Sequence, residues 1–235
     1  MGSEMCIRDR IFGDKVVWVP WRRPGFQLGL DIAAIKAANS QAIGCILGGH
    51  GITAWGDTSD ECEANSLWII NTAADYIAAN GKAEPFGPVR AGFEALPRDE
   101  RLAKAAALAP TLRAIASHDK AMVGHFTDAD VVLDFLASEN APQLAELGTS
   151  CPDHFLRTKV KPMLLDLPAS ASVEDSIARL SELHTAYRED YAGYYERNAT
   201  PDSPAIRGAD PLIVLAVSYT HLRAHETDSY LVCRL

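Results

Sequence analysis

Gly44-Cys45-Ile46-Leu47-Gly48-Gly49-His50-Gly51-Ile52-Thr53-Ala54-Trp55-Gly56 is the stretch whose reading decides the fold. An apolar run ends in a glycine cluster, a histidine sits inside that cluster, and a second short apolar run follows. Short apolar runs bounded by turn residues are the pattern of buried strands, and glycine admits the backbone angles a tight turn needs. The stretch therefore predicts a strand over 43–47, a turn, and a strand over 52–55. Just beyond, Thr58 and Glu61 have capping-box spacing. A helix is predicted from there to Asn80-Gly81, with Leu67, Ile70, Ala74 and Ile77 as its main apolar stripe. His50 is held at the turn, where imidazole is the one group able to bind a metal or move a proton near neutral pH.

Working outward, 16–19 is a β-branched and aromatic run that reads as a strand, and Pro20 to Gly25 breaks it. Leu28, Ile32 and Ile35 share one face of a helix over 28–38, and Asn39-Ser40 stops it. Downstream, 84–88 is loop. Residues 98–109 and 111–116 read as a helix interrupted at Pro110. A strand over 121–126, a helix over 128–137 capped by Thr127, and a short helix after Pro142 follow. The stretch 148–159 is dense in polar side chains and leads into a strand over 162–167. A long helix over 172–197 is capped at Ser172 and carries Tyr187, Tyr191, Tyr194 and Tyr195 near its end. A Pro/Ser-rich linker precedes a last strand that opens at Leu212. The fold class is α/β.

The ends stand apart. Residues 1–10 (MGSEMCIRDR) and 217–235 (VSYTHLRAHETDSYLVCRL) are compatible with the codons of transposon-end sequencing adapters, the second as the reverse complement of the first over the shared end. Both are expected to be adapter-derived and non-native, and are set aside from fold reasoning. The other reading of the second is a natural tail with a histidine pair, His221 and His225. On the adapter reading the authentic chain is an internal fragment over about 11–215.

The 235-residue sequence carries a formal charge of -9. Trimming the ends leaves that unchanged, because the acidic and basic residues of each end cancel. An acidic chain with no basic stripe argues against nucleic-acid binding, and its apolar runs are too short to span a bilayer. Apart from Cys6 and Cys233 in the ends, Cys45, Cys62 and Cys151 remain, without CxxC spacing. That pattern suits buried thiols in a reducing cytoplasm better than a disulfide framework.

The first part resembles the C-terminal portion of a class II aldolase/adducin domain. The resemblance is carried by Val19-Pro20 with Pro24-Gly25, the helix up to Asn39, the strand into Gly49-His50-Gly51, the strand and turn over 52–56, and the following helix with Glu63-Ala64. That family usually shows Asn-His-Gly at the turn; here a glycine replaces the asparagine. Within the family, four stretches in order are similar to bifunctional proteins in which a rhamnulose-1-phosphate aldolase is fused to a short-chain dehydrogenase. They are 48–57, 124–127, 149–159 and 207–211. No GxGxxG follows any strand here, so the NAD-dependent part would belong to the parent protein alone.

The resemblance implies a domain organisation. Residues 11–85 would be the C-terminal part of the aldolase domain, with its central sheet flanked by helices. Residues 86–197 would be a helix-rich mixed extension, and 198–216 a linker toward a missing dehydrogenase domain. It also implies a chemistry: a ketose 1-phosphate, the small-molecule partner, is cleaved to dihydroxyacetone phosphate and an aldehyde with the help of a divalent metal, usually Zn2+. His50 would be the third histidine ligand, while an HxH pair and the acid/base glutamate would lie upstream of residue 11. The parent would be cytoplasmic and homo-oligomeric, and the fragment alone inactive. A sugar-phosphate epimerase and a non-catalytic adducin-like module are the alternatives. On the residues alone, His50 is either a metal ligand or a turn residue bonded to backbone. Asp153 with His154 could act as an oriented acid/base pair, and Arg157 with Lys159 could hold a phosphate; a solvated turn is the other reading. His125, the tyrosine cluster and Arg22-Arg23 carry no firmer role.

Overall fold

The computed structural model describes residues 2–117, 121–149, 158–216 and 220–226. The described residues up to Pro85 form one compact unit and those from Phe86 another.

The first unit runs α1 (Gly2–Phe12), a 3-10 turn (Gly13–Lys15), β1 (Val16–Val19), α2 (Phe26–Ala38), β2 (Gly44–Leu47), β3 (Gly51–Ala54) and α3 (Ser59–Asn80). Its sheet has the order β1-β2-β3. β1 and β2 are parallel with Val17 opposite Cys45, and β2 and β3 antiparallel with Ile46 opposite Ile52. Side chains alternate across a strand, so Val17, Val19 and Cys45 meet Leu28, Ile32 and Ile35 of α2. Val16 and Ile46 meet Ile69 and Trp68 of α3 and Phe12 of α1 on the other face. The sheet is thus buried from both sides, which is why β1 is apolar at every position rather than alternating.

α3 starts where its cap predicts. The Glu61 amide donates to Thr58 Oγ1 at 3.2 Å, and Glu61 Oε2 reaches back to the Asp57 amide at 2.8 Å. Two amides that the helix leaves orphaned are satisfied by these two side chains. The face it buries differs from the expected one. Ile69 is its one fully buried residue, whereas Leu67, Ile70 and Ile77 are half or more exposed. The helix carries two apolar faces, and the sheet takes the one bearing Ile69 and Trp68.

The second unit runs α4 (Arg98–Ala116), β4 (Met122–Thr127), α5 (Asp130–Ala137), α6 (Ala141–Leu147), β5 (Met163–Leu165), α7 (Val173–Asn198), β6 (Ile213–Ala216) and β7 (Thr220–Glu226). Its sheet has the order β4-β7-β6-β5. β5 and β6 are parallel; β7 is antiparallel to both β6 and β4. Met163, Leu165, Val214 and Ala216 face Leu108, Leu112 and Ile115 of α4 and Leu180 and Tyr187 of α7. Leu164, Ile213 and Leu215 face Val132, Phe135 and Leu136 of α5 and Ala145 of α6. Again a sheet is held between two helical layers.

Two departures from the sequence reading have simple causes. α4 runs through Pro110 without a break. Its buried residues, Ala105, Leu108, Leu112 and Ile115, lie on both sides of the proline, while Pro110 itself is exposed. Packing holds the two halves on one axis, and the Ala106 carbonyl that loses its partner lies on the wet side of the helix. α5 begins at Asp130 with Ala129 at its cap, because Thr127 is still part of β4. The segments set aside as adapter also take regular structure: residues 2–10 lie in α1, and 220–226 form β7. Among the described residues no helix is long and apolar enough to cross a membrane.

Candidate functional site

The β2–β3 hairpin of the first unit is built by its glycines. Gly49 sits at φ +72° and Gly51 at φ +132°, a region that a side chain disfavours. Gly48 answers a different need: a Cβ there would come within 2.8 Å of the Trp21 amide nitrogen. The loop after β1 therefore lies directly against the turn. The Gly48 amide donates to Val19 O at 2.9 Å, and the His50 amide to Leu47 O at 3.0 Å.

His50 projects from this turn toward the same loop. Its Nε2 lies 2.8 Å from the Arg22 carbonyl oxygen. A carbonyl only accepts, so Nε2 carries the proton in that bond and Nδ1 is left with its lone pair. The loop is tied down in turn. Arg22 pairs with Asp31 of α2, which also accepts from Gln27 Nε2 at 3.2 Å. Beside it a shallow, open cavity of about 280 Å³ is lined by Pro20, Trp21, Arg22, Asp31, Ala34 and Ile35. Chemically, the arrangement presents one oriented imidazole nitrogen, able to bind a metal or take a proton.

One nitrogen is not a metal centre, which needs about three protein donors. Among the described residues no group of three or more His, Cys, Asp or Glu side chains could hold a metal ion. The geometry fits a single donor of such a centre and no more.

The other residues singled out by the sequence are dispersed. Asp153, His154 and Arg157 lie outside the described residues. Lys159 is in the second unit, with the unusual φ of +69°. Its ammonium donates to the Gly208 carbonyl at 2.7 Å and stands 4.4 Å from the centre of the Tyr191 ring. Burial pushes its pKa down, and the charge of Asp210 pulls it partly back. His125 is exposed on β4. The tyrosines form a stack, Tyr187 on Tyr191 at 6.4 Å and Tyr191 on Tyr194 at 6.1 Å. The Tyr187 hydroxyl donates to Lys161 O at 2.8 Å, and burial raises its pKa far above that of free tyrosine.

The sequence reading missed His184. Its Nε2 is 2.9 Å from Asp210 Oδ1, which Arg188 also binds. His184 and Arg188 are four apart on α7, hence on one face. That spacing was a visible signal; the partner, 22 to 26 residues further along, was not. Beside this cluster Lys161 pairs with Asp190 at 2.8 Å and with Glu146.

Comparison with known proteins places these two units. Residues 5–77 match the class II aldolase and adducin N-terminal domain, and residues 103–225 match the second domain of class II aldolases. The chain is also similar to a protein of Bacillus subtilis (strain 168) named uncharacterized oxidoreductase YuxG, with 34% identity over 211 residues. That similarity covers 89% of this chain, and the chain spans about 30% of that relative's length. No solved structure matches it. With two domain matches that between them take in both the His50 hairpin and the His184 cluster, the chain belongs to the class II aldolase and adducin family.

Proposed function

We propose that this chain is part of a metal-dependent aldolase that cleaves rhamnulose 1-phosphate to dihydroxyacetone phosphate and lactaldehyde, in a parent that also carries a short-chain dehydrogenase. The observation that carries the reading is His50: a glycine hairpin inside the matched aldolase domain holds its ring by Nε2 and leaves Nδ1 free. The match to a relative named as an oxidoreductase, of which this chain spans only 30%, supports a longer parent with a redox part elsewhere.

In this reading His50 is one ligand of a divalent metal, zinc by preference. The remaining ligands, an HxH pair, and the acid/base glutamate come from the parent upstream of residue 11. The metal supplies Lewis acidity toward the enediolate oxygens left when the carbon–carbon bond breaks. The work of this chain is orientation. Arg22 O fixes the tautomer and the ring plane of His50, as an outer partner does for a metal-bound imidazole. The Arg22–Asp31 pair fixes Arg22 in its turn. Residues 1–10 and 217–235 are translated adapter, 11–85 and 86–197 are the two native regions, and 198–216 leads toward the dehydrogenase. Cys45 and Cys62 are both free thiols, which supports a reducing cytoplasm as the location. The parent is homo-oligomeric and takes a small sugar phosphate, neither nucleic acid nor membrane being its partner.

The test is the His50→Ala variant of the intact parent, assayed for bound zinc and for cleavage of rhamnulose 1-phosphate. Metal content should fall and activity drop by about 100-fold or more. Unchanged metal and activity would defeat the reading and favour the non-catalytic, adducin-like alternative, in which His50 is a turn residue held by its backbone bond. Retained metal dependence with epimerisation in place of cleavage would favour the sugar-phosphate epimerase.

A further inference from the structure

α3 is 22 residues long, yet it buries one residue completely. The face away from Ile69 carries Leu67, Ile70, Ala74 and Ile77, with the three large side chains 49%, 50% and 66% exposed. Steps of three, four and three residues make a narrow apolar seam of the coiled-coil type, rather than the broad stripe that packs on a sheet. Glu63 continues the seam one step toward the N-terminus, and Gly81 one step past the C-terminus, with exposed Lys82 beside it.

The order of these steps reads the same in both directions. If a second copy of α3 is laid antiparallel with the centre at Thr72, Leu67 meets Ile77 of the other copy, and Ile70 meets Ala74. Large side chains then face a large and a small one in alternation, which lets the two helices interdigitate. In the same register the carboxylate of Glu63 comes opposite Lys82 at each end. A surface that complements itself under a two-fold rotation is what an isologous dimer requires. No basic residue lies within α3 itself, so the Lys82 of another copy is the cation that this acidic helix start can meet.

We propose that the outer face of α3 is a homodimer interface, two copies pairing antiparallel through Leu67, Ile70, Ala74 and Ile77, with Glu63 and Lys82 as end-to-end charge pairs. The inference stands on the helix alone and is independent of the reaction proposed above. Stable interfaces take about 800 Å² per partner. One seam of four side chains provides less, so the dimer is weak and strongly concentration-dependent.

Sedimentation equilibrium of the full chain should show monomer passing to dimer as concentration rises. Ile70→Glu, at an exposed position that leaves the core intact, should weaken the dimer by about tenfold or more, as central interface positions do. Glu63→Lys should weaken it severalfold, and Glu63→Lys combined with Lys82→Glu should restore it. Geometry is read separately: a Leu67→Cys chain mixed with an Ile77→Cys chain should form the mixed disulfide faster than either like pair, as mapped by peptide mass spectrometry. A monomer at every concentration overturns the proposal and leaves the face to another segment of the parent. Faster like-pair disulfides also overturn it, since they require parallel helices.

Discussion

Each unit places one histidine beside its sheet, and the two are held in opposite ways. His50 has a single hydrogen bond, to a backbone carbonyl, and a ring nitrogen left over. His184 is bound to the carboxylate of Asp210, which Arg188 holds from another side, and the three tie the middle of α7 to the chain just before β6. Asp210 is 12% exposed and His184 18%, so removing either partner leaves a desolvated group behind. The difference teaches where to look for chemistry. A histidine whose bonds close a network is a fastener; one that is oriented at one nitrogen and open at the other is a tool.

The comparison breaks most easily at its supports. Gly48→Val pushes a side chain against the Trp21 backbone, where the Cβ alone would stand 2.8 Å from a nitrogen. Overpacking of this kind costs about 1–3 kcal/mol, and it displaces the loop that holds His50. The expected outcome is a lower urea midpoint for the first unit together with loss of the His50 bond, seen as a changed imidazole tautomer by NMR. An unchanged midpoint would show that the loop gives way freely and does not position the ring. A smaller loss is expected from Asp210→Asn, about 1–2 kcal/mol from two donors left poorly matched. Urea unfolding followed by a probe on α7 measures it. If that variant is neutral while zinc binding by the parent falls, the roles assigned to the two histidines are reversed.

How much of this was legible depends on the range of the forces involved. The hairpin and the α3 cap rest on residues three to eight apart, and the order Gly48-Gly49-His50-Gly51 and Thr58 to Glu61 displays them openly. Pro110 misled because a local rule, the missing amide, was set against tertiary packing on both sides of it, and packing won. The α3 stripe misled in another way. Periodicity shows that a face is apolar without showing which of two apolar faces the sheet receives, and Trp68-Ile69 took that place from Leu67 and Ile70. His184 was invisible because Asp210 lies 26 residues away, beyond any local pattern. The tail shows the limit from the other side: a segment read from its codons as foreign pairs with both β4 and β6, in the interior of the second sheet.

The smallest expected effect concerns acid. Two carboxylates of the second unit sit below the ordinary aspartate range: Asp166, through its hydrogen bonds with the Arg179 guanidinium at 2.9 and 2.8 Å, and Asp128, through Arg101 at 3.0 Å. A depressed value in the folded state means that the unfolded chain takes up protons first. The stabilisation is therefore complete above the unfolded aspartate value of about 4, and it fades as pH falls through the lower folded value. Arg179→Ala should remove the share of Asp166, leaving a fold weaker at pH 7 whose stability changes less between pH 5 and pH 2. The pair is largely exposed, so salt should shrink the effect further. Thermal unfolding across that pH range, with a reporter in each unit, separates the two. An acid-dependent loss that falls equally on both units, or a slope that Arg179→Ala leaves intact, would mean that the charge pairs of the second unit do not govern its response to acid, and the contrast between a networked unit and an open one would then rest on His184 alone.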